Sequence, residues 1–285
     1  MSDGFVLVDK PPGPTSHDVV DVVRQAYGTR RAGHAGTLDP FASGLLIVLV
    51  GRATRLSQYL VGLPKRYTGA MTLGVETDTE DPTGDVTRTD DGWRTLADSA
   101  VRSAMASLTG RSLQHPPAHS ARKQDGERAY RRARRGDPVE LEPREIDVMR
   151  FEMTAREGST VEFAAEVSSG TYLRALARDL GRALGCGAHL AGLRRTHVGS
   201  FSVAEAVAVE TLRRQAPALR APREAVGHLT TITLDTERRG MIVHGQPVPA
   251  ADVAGGPVAL VAGGELVAIA QRQGEVLKPK VVLEG

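Results

Sequence analysis

The run Gly33-His34-Ala35-Gly36-Thr37-Leu38-Asp39-Pro40 sets one aspartate in a glycine-flanked loop just before an apolar stretch, Leu45 to Val50. A carboxylate fixed in this way can attack an electrophile or take up a proton. With an ordinary pKa of about 3.9 it is ionised at neutral pH, and enclosure opposes that charge unless a cation stands beside it. The same dipeptide has a plainer use: Asp followed by Pro is a good helix start, with Asp as N-cap and Pro at the first helical position. Taken alone, the eight residues fit either use.

Three more motifs bear on the choice. Val8-Asp9-Lys10-Pro11-Pro12-Gly13-Pro14-Thr15-Ser16 precedes the loop, and Lys65-Arg66-Tyr67 and then Ser168-Ser169-Gly170-Thr171-Tyr172-Leu173-Arg174 follow it. In this order the four resemble the TruB family of bacterial tRNA pseudouridine synthases, whose loop reads GHTGTLDPxAxG and whose opening reads DKPxGxTS. The resemblance runs from residue 5 to about residue 201. It implies that Asp39 is the nucleophile, that Arg174 is its ion-pair partner, and that Tyr67 lies against the target base as a candidate for proton transfer. By the same resemblance His34 supports a flipped-out nucleotide, while Tyr172 and Leu193 line its pocket. The implied substrate is the T-arm uridine of tRNA, position 55. The implied reaction breaks the C1′–N1 glycosidic bond, turns the base and rejoins it through C5, with no cofactor and no metal. Whether Asp39 attacks uracil C6 or ribose C1′ stays open. Three departures stand out: Ala35 replaces the usual Thr of the loop, Val167 replaces a common Cys before Ser168, and the C-terminal module is short and divergent.

The elements that must hold these residues can be read from pattern. Phe5 to Val8 is a short strand, and Ser16 is the expected N-cap of a helix reaching about Tyr27. Leu45 to Val50 reads as a fully buried strand closed by Gly51, with a helix across Ala53 to Leu60. Tyr67, Gly69, Met71 and Leu73 alternate as a strand, and the acidic, Thr-rich segment 75–92 is expected as a surface loop. A helix is expected over 95–109, and a helical core near Gly126 to Arg135. Val161, Phe163, Ala165 and Val167 alternate as a strand ending at the last motif. Leu173, Leu176, Ala177, Leu180 and Leu184 then mark one face of a helix, with Arg174 in its first turn, where a positive charge is disfavoured by the helix dipole. A residue set against local preference points to another purpose. Residues 205–229 look like a closing helix and linker, after which Val258 to Ala262 and Leu266 to Ala270 flank Gly263-Gly264 as a hairpin.

The expected architecture is α/β of the α+β type: a mixed, largely antiparallel sheet in a pseudouridine synthase catalytic domain over 1–229, with a basic insertion at about 111–150. A small, separate β module over 230–285 resembles a PUA-like RNA-binding domain. Residues 111–135 carry eight Lys or Arg against two acids, whereas residues 75–92 carry seven acids against one Arg. The basic block is a candidate phosphate-facing surface. Lys10 in the opening motif and Lys123, Arg131, Arg132, Arg134 and Arg135 in the block are the expected RNA contacts. With 4% aromatic residues, an extended base-stacking platform is not expected, so a folded RNA read by shape fits better than a single strand. A single cysteine, Cys186, excludes an internal disulfide and a cysteine-rich zinc site. No apolar run is long enough to span a bilayer, and the expectation is a cytoplasmic monomer needing no protein partner. Two rival functions fit the same motifs: a guide-RNA-dependent relative acting on ribosomal RNA, and a chaperone that unfolds and refolds the tRNA arm.

Overall fold

The computed structural model describes residues 3–118, 123–124, 127–128, 135, 141–250 and 255–284. Its main sheet has ten strands, eight of which form one path: Val207–Ala208, Gly4–Lys10, Ser43–Val50, Ala188–Val198, Lys65–Leu73, Thr160–Val167, Arg144–Glu157 and Gly110–Gln114. Within the path, two neighbour pairs are parallel, Val207–Ala208 with Gly4–Lys10 and Ala188–Val198 with Ser43–Val50; the others are antiparallel. The sheet is therefore mixed and largely antiparallel, as the sequence pattern implies.

The Ser43–Val50 strand shows why an unbroken apolar run is needed at the centre. Successive side chains in a strand point to opposite faces. Leu45, Ile47 and Leu49 enter one core with Phe5, Leu56 and Leu60, while Leu46, Val48 and Val50 enter another with Val19, Val20 and Val23 of the helix Ser16–Ala26. Both faces are covered, so neither set can be polar. A third core joins Val161, Phe163, Ala165 and Val167 to Leu173, Leu176, Ala177 and Leu180 of the helix Leu173–Leu184. That helix carries Arg174 to the sheet.

Several local expectations need correction. The first helix is capped by Thr15, which forms a capping box with Asp18, and this leaves the Ser16 hydroxyl for another task. Gly51–Leu56 is a 3-10 turn that leads into a short helix, Ser57–Val61, in place of one helix over 53–60. The acidic segment is a hairpin, Val75–Thr77 against Val86–Thr89, and the loop inside it buries Asp81. Within the helical core expected near Gly126 to Arg135, Glu127–Arg128 is strand, paired with Lys123–Gln124; the rest of that expected helix, Arg135 apart, lies outside the described residues.

Residues from Thr230 build a second sheet of five strands, ordered Thr230–Thr233, Pro257–Ala262, Glu265–Gln273, Val276–Val282, Val248–Pro249. The Gly263-Gly264 turn sits at its expected place. The separateness of this module is only partial. Ala259, Val261, Leu266, Ile269, Val281 and Leu283 share one core with Phe5, Leu45, Leu56 and Leu60 of the main domain.

Candidate active site

Asp39 lies in the loop between Ala32–His34 and Ser43–Val50, and side chains from elsewhere in the chain tie down much of its backbone. The Ser16 hydroxyl donates to the Leu38 carbonyl and accepts from the Leu38 N–H. Arg195, 1% exposed, donates to the carbonyls of Gly36, Thr37 and Leu45. The ammonium of Lys10 donates to the carbonyls of Pro11, Pro40 and Ala42. The Ala42 N–H closes a turn on the Asp39 carbonyl, and no helix starts here, so the capping use of Asp39 is excluded. Gly44 adopts φ +103°, and a Cβ there would strike the backbone of Arg195, which the parallel pairing brings alongside. Only glycine fits.

Arg174 approaches the Asp39 carboxylate side-on, with Nε 3.1 Å from Oδ2 and Nη2 3.4 Å from Oδ1. Its Nη1 donates to the Thr79 carbonyl at 3.0 Å and lies 3.3 Å from Oδ2 of Asp81. One buried guanidinium thus joins two carboxylates. Asp81 is itself satisfied by the Thr79 hydroxyl and by the N–H and hydroxyl of Thr83. Burial pushes the Asp39 carboxyl up, Arg174 pulls it down, Asp81 pushes it up again and Lys10 pulls it down; the net lies above the ordinary 3.8. Yet 37% of the Asp39 side chain remains exposed, and the exposed part faces a pocket, so a ligand can reach it.

That pocket has a volume of about 540 Å³, within the range of small-molecule sites. His34, Asp39, Tyr67, Tyr172, Arg174 and Leu193 all line it. Residues from four separate stretches of sequence are thereby brought together. His34 has its pKa lowered by burial, then by the charges of Arg195 and His17, and its Nδ1 is buried without a hydrogen-bond partner. Tyr67 is 8% exposed and sits across from Arg195 in the sheet. The pocket wall also includes Leu38, Leu190 and Leu193, which give it an apolar side.

Lys10 is a correction. It is 0% exposed, it lies behind the loop with three carbonyls, and burial lowers its pKa to about 8, so it cannot meet a phosphate. Its task is to hold the Asp39 turn. Arg131, Arg132 and Arg134 lie outside the described residues, as does the side chain of Lys123, and Arg135 sits in an exposed turn.

Five residues escape the sequence reading of the site. Asp81 hides in an acidic run that resembles a solvated loop; its signal is the alternation with Thr77, Thr79 and Thr83, whose hydroxyls serve that loop. Arg195 and Lys65 look like ordinary basic strand residues, yet both are buried on the pocket wall. The Lys65 ammonium donates to the carbonyls of Val61 and Leu63, and burial, with the Arg195 charge, lowers its pKa to about 8. Gln114 takes both the N–H and the carbonyl of Tyr172, fixing the start of the Arg174 helix. Arg144 lines the pocket beside Gly170.

The arrangement matches solved structures. The archaeal box H/ACA sRNP Nop10-Cbf5 complex contains a chain with TM-score 0.74 and 28% identity, covering 98% of this chain and 85% of that one. An H/ACA RNP bound to a substrate RNA containing 2′-deoxyuridine gives TM-score 0.75 and 26% identity, covering 99% and 85%. The fold is that of the pseudouridine synthases. Residues 24–173 match the profile of the TruB family pseudouridylate synthase N-terminal domain, and residues 174–234 that of the tRNA pseudouridylate synthase B C-terminal domain. Curated relatives agree over nearly their whole length. A tRNA pseudouridine synthase B of Arthrobacter sp. (strain FB24) is 41% identical, covering 99% of this chain and 97% of its own, and one of Thermobifida fusca (strain YX) is 42% identical over 100% of both. The chain belongs to the TruB family.

Proposed function

We propose that this protein converts the uridine at position 55, in the T arm of tRNA, to pseudouridine, with Asp39 as the nucleophile. The observation that carries the reading is the Asp39 carboxylate held on both oxygens by Arg174, facing a pocket with room for a nucleotide. The relatives' activity on tRNA supports the substrate. The reaction is an isomerisation in which C1′–N1 breaks, the base turns and C1′–C5 forms. The C5 hydrogen leaves as a proton and N1 gains one, so no electrons are exchanged with a second reactant.

Asp39 attacks ribose C1′ or uracil C6, and either route needs its ionised form. Arg174 supplies that by pairing with it, while Leu38, Leu190 and Leu193 keep water from the turning base. Tyr67 lies against the base, neutral His34 supports the nucleotide, and Tyr172 completes the wall. Flipping a base out of a folded arm costs a few kcal/mol, which RNA contacts must offset. The basic block, with Lys123, Arg131, Arg132, Arg134 and Arg135, and the sheet over 230–285 supply those contacts. The chain works alone, as a cytoplasmic monomer without guide RNA, metal or cofactor.

The test is to map pseudouridine across cellular RNA with and without the protein. Loss confined to the T arm supports the reading. Loss in ribosomal RNA instead would favour a guide-dependent enzyme, and no loss anywhere would favour an RNA chaperone.

A further inference from the structure

The cations on the pocket wall differ in what they are bound to. Arg174 is committed to Asp39 and Asp81, Arg195 to three carbonyls, and Lys65 to two. Arg144 has no hydrogen-bond or ion-pair partner among the described residues, and its Nε is shut away from water and unsatisfied. Buried donors in native proteins are almost always paired, so Arg144 stands apart from the other cations of the pocket, and the part of its guanidinium that lines the pocket is left to meet a ligand.

The placement of Arg144 is built into the fold. It lies directly opposite Gln114 in the antiparallel pair of Arg144–Glu157 with Gly110–Gln114, and directly opposed residues share a face of the sheet. Gln114 grips the Tyr172 backbone, so this face is turned toward the loop 168–172. The loop is strapped to the same strand by the Ser168 hydroxyl on the Asp147 N–H and by the Ser168 N–H on the Asp147 carbonyl. Gly170 adopts φ +85°, and a Cβ there would stand 2.5 Å from the carbon and both terminal nitrogens of the Arg144 guanidinium. The group therefore lies flat on the glycine, and its edge is left to donate. Glu145, next along the strand, points to the other face and cannot neutralise it.

We propose that Arg144 is a phosphate clamp: its guanidinium grips a backbone phosphate adjoining the target uridine while the base occupies the pocket. An unpaired, planar, permanently charged fork suits a phosphodiester on two oxygens better than a neutral uracil edge. This rests on the reading that the pocket receives a uridine of an RNA. Arg144 is a positioning residue, because it touches the strand and not the reacting atoms.

The experiment uses the full chain and a T-arm stem-loop RNA in which each phosphate flanking the target uridine is replaced singly by a neutral methylphosphonate. One such replacement should weaken binding to the wild-type protein on the order of tenfold, and Arg144→Gln should weaken binding of unmodified RNA to a similar degree. Arg144→Gln should then be indifferent to that same replacement, and its binding should depend less on salt, the slope of log affinity falling by roughly 0.7 to 1. Arg144→Lys should keep the salt slope and recover only part of the affinity. The clamp is overturned if no single neutral linkage weakens the wild type, or if a folded Arg144→Gln stays as sensitive as the wild type to every one of them. Pseudouridine formation in the unmodified stem-loop separates the two readings. If the wild type forms none, the proposed function fails. If it forms pseudouridine but shows no coupling with Arg144, only the clamp fails.

Discussion

Arg174 is the residue through which the site's charges are balanced, since a single guanidinium faces Asp39 and Asp81 at once. Lysine would keep the charge but lose the planar fork that aims both carboxylates. Arg174→Lys should fold and bind tRNA, while the single-turnover rate constant falls on the order of a hundredfold, the scale expected when a reacting group is misplaced by an ångström. Weaker tRNA binding with the rate for bound tRNA unchanged would show that the arginine serves binding and not aim. The pH profile tests the same pair. Burial holds the Asp39 pKa above the ordinary 3.8, so the acid limb of the single-turnover rate should sit at a higher pH than an unperturbed aspartate would give. Linkage gives a second sign. Between 3.8 and the raised value the native state holds the extra proton, so Asp39 makes stability fall as pH rises through that window. The ionised Asp39 carboxylate is held at a cost to the fold.

At the scale of elements, three short loops converge on one helix and one strand. The loop inside the Val75–Val86 hairpin places consecutive carboxylates, Glu80 and Asp81, against Arg178 and Arg174, one turn apart on the helix Leu173–Leu184. Glu80 takes the left-handed region, φ +62°, to make this possible, a strain of order 1 kcal/mol or more for a residue other than glycine. The Asp39 loop depends on Lys10 in the same way. Lys10→Met would take a donor from the carbonyls of Pro11, Pro40 and Ala42, of which Pro40 still accepts from the Gly13 N–H, and should destabilise the protein by about 2 kcal/mol in urea melts. Because the folded pKa of Lys10 is lowered from 10.5 to about 8, the native state releases its proton first, and wild-type stability should rise across that interval. The rise should be smaller in Lys10→Met, and an equal rise would place the Lys10 ammonium in water. The strands and the Arg174 helix were legible in the sequence because their apolar periods are strict, as in Val161, Phe163, Ala165 and Val167. Asp81, Gln114 and Arg195 were not, because a polar residue's burial is decided by partners far along the chain: Arg174, Tyr172 and the carbonyls of Gly36, Thr37 and Leu45.

For the whole molecule, the C-terminal sheet has a structural part that its position in the sequence conceals. Val261, Ile269 and Leu283 complete a core begun by Phe5, Leu56 and Leu60, and Arg55 donates to the Val282 carbonyl across the same boundary. A chain ending at residue 229 should therefore melt well below the full chain, since each large apolar side chain uncovered forfeits roughly 1.5–3 kcal/mol. An unchanged melting temperature would show that the sheet is merely appended. The central claim, that this molecule separates holding an RNA from rearranging its base and that Asp39 performs the second task, rests on one measurement. Full-length tRNA is mixed with wild type and with Asp39→Asn, and pseudouridine at position 55 and tRNA affinity are measured in parallel. Asparagine keeps the shape of the side chain but cannot attack. Binding should persist in Asp39→Asn while pseudouridine formation vanishes; near-normal formation by that variant would contradict the account.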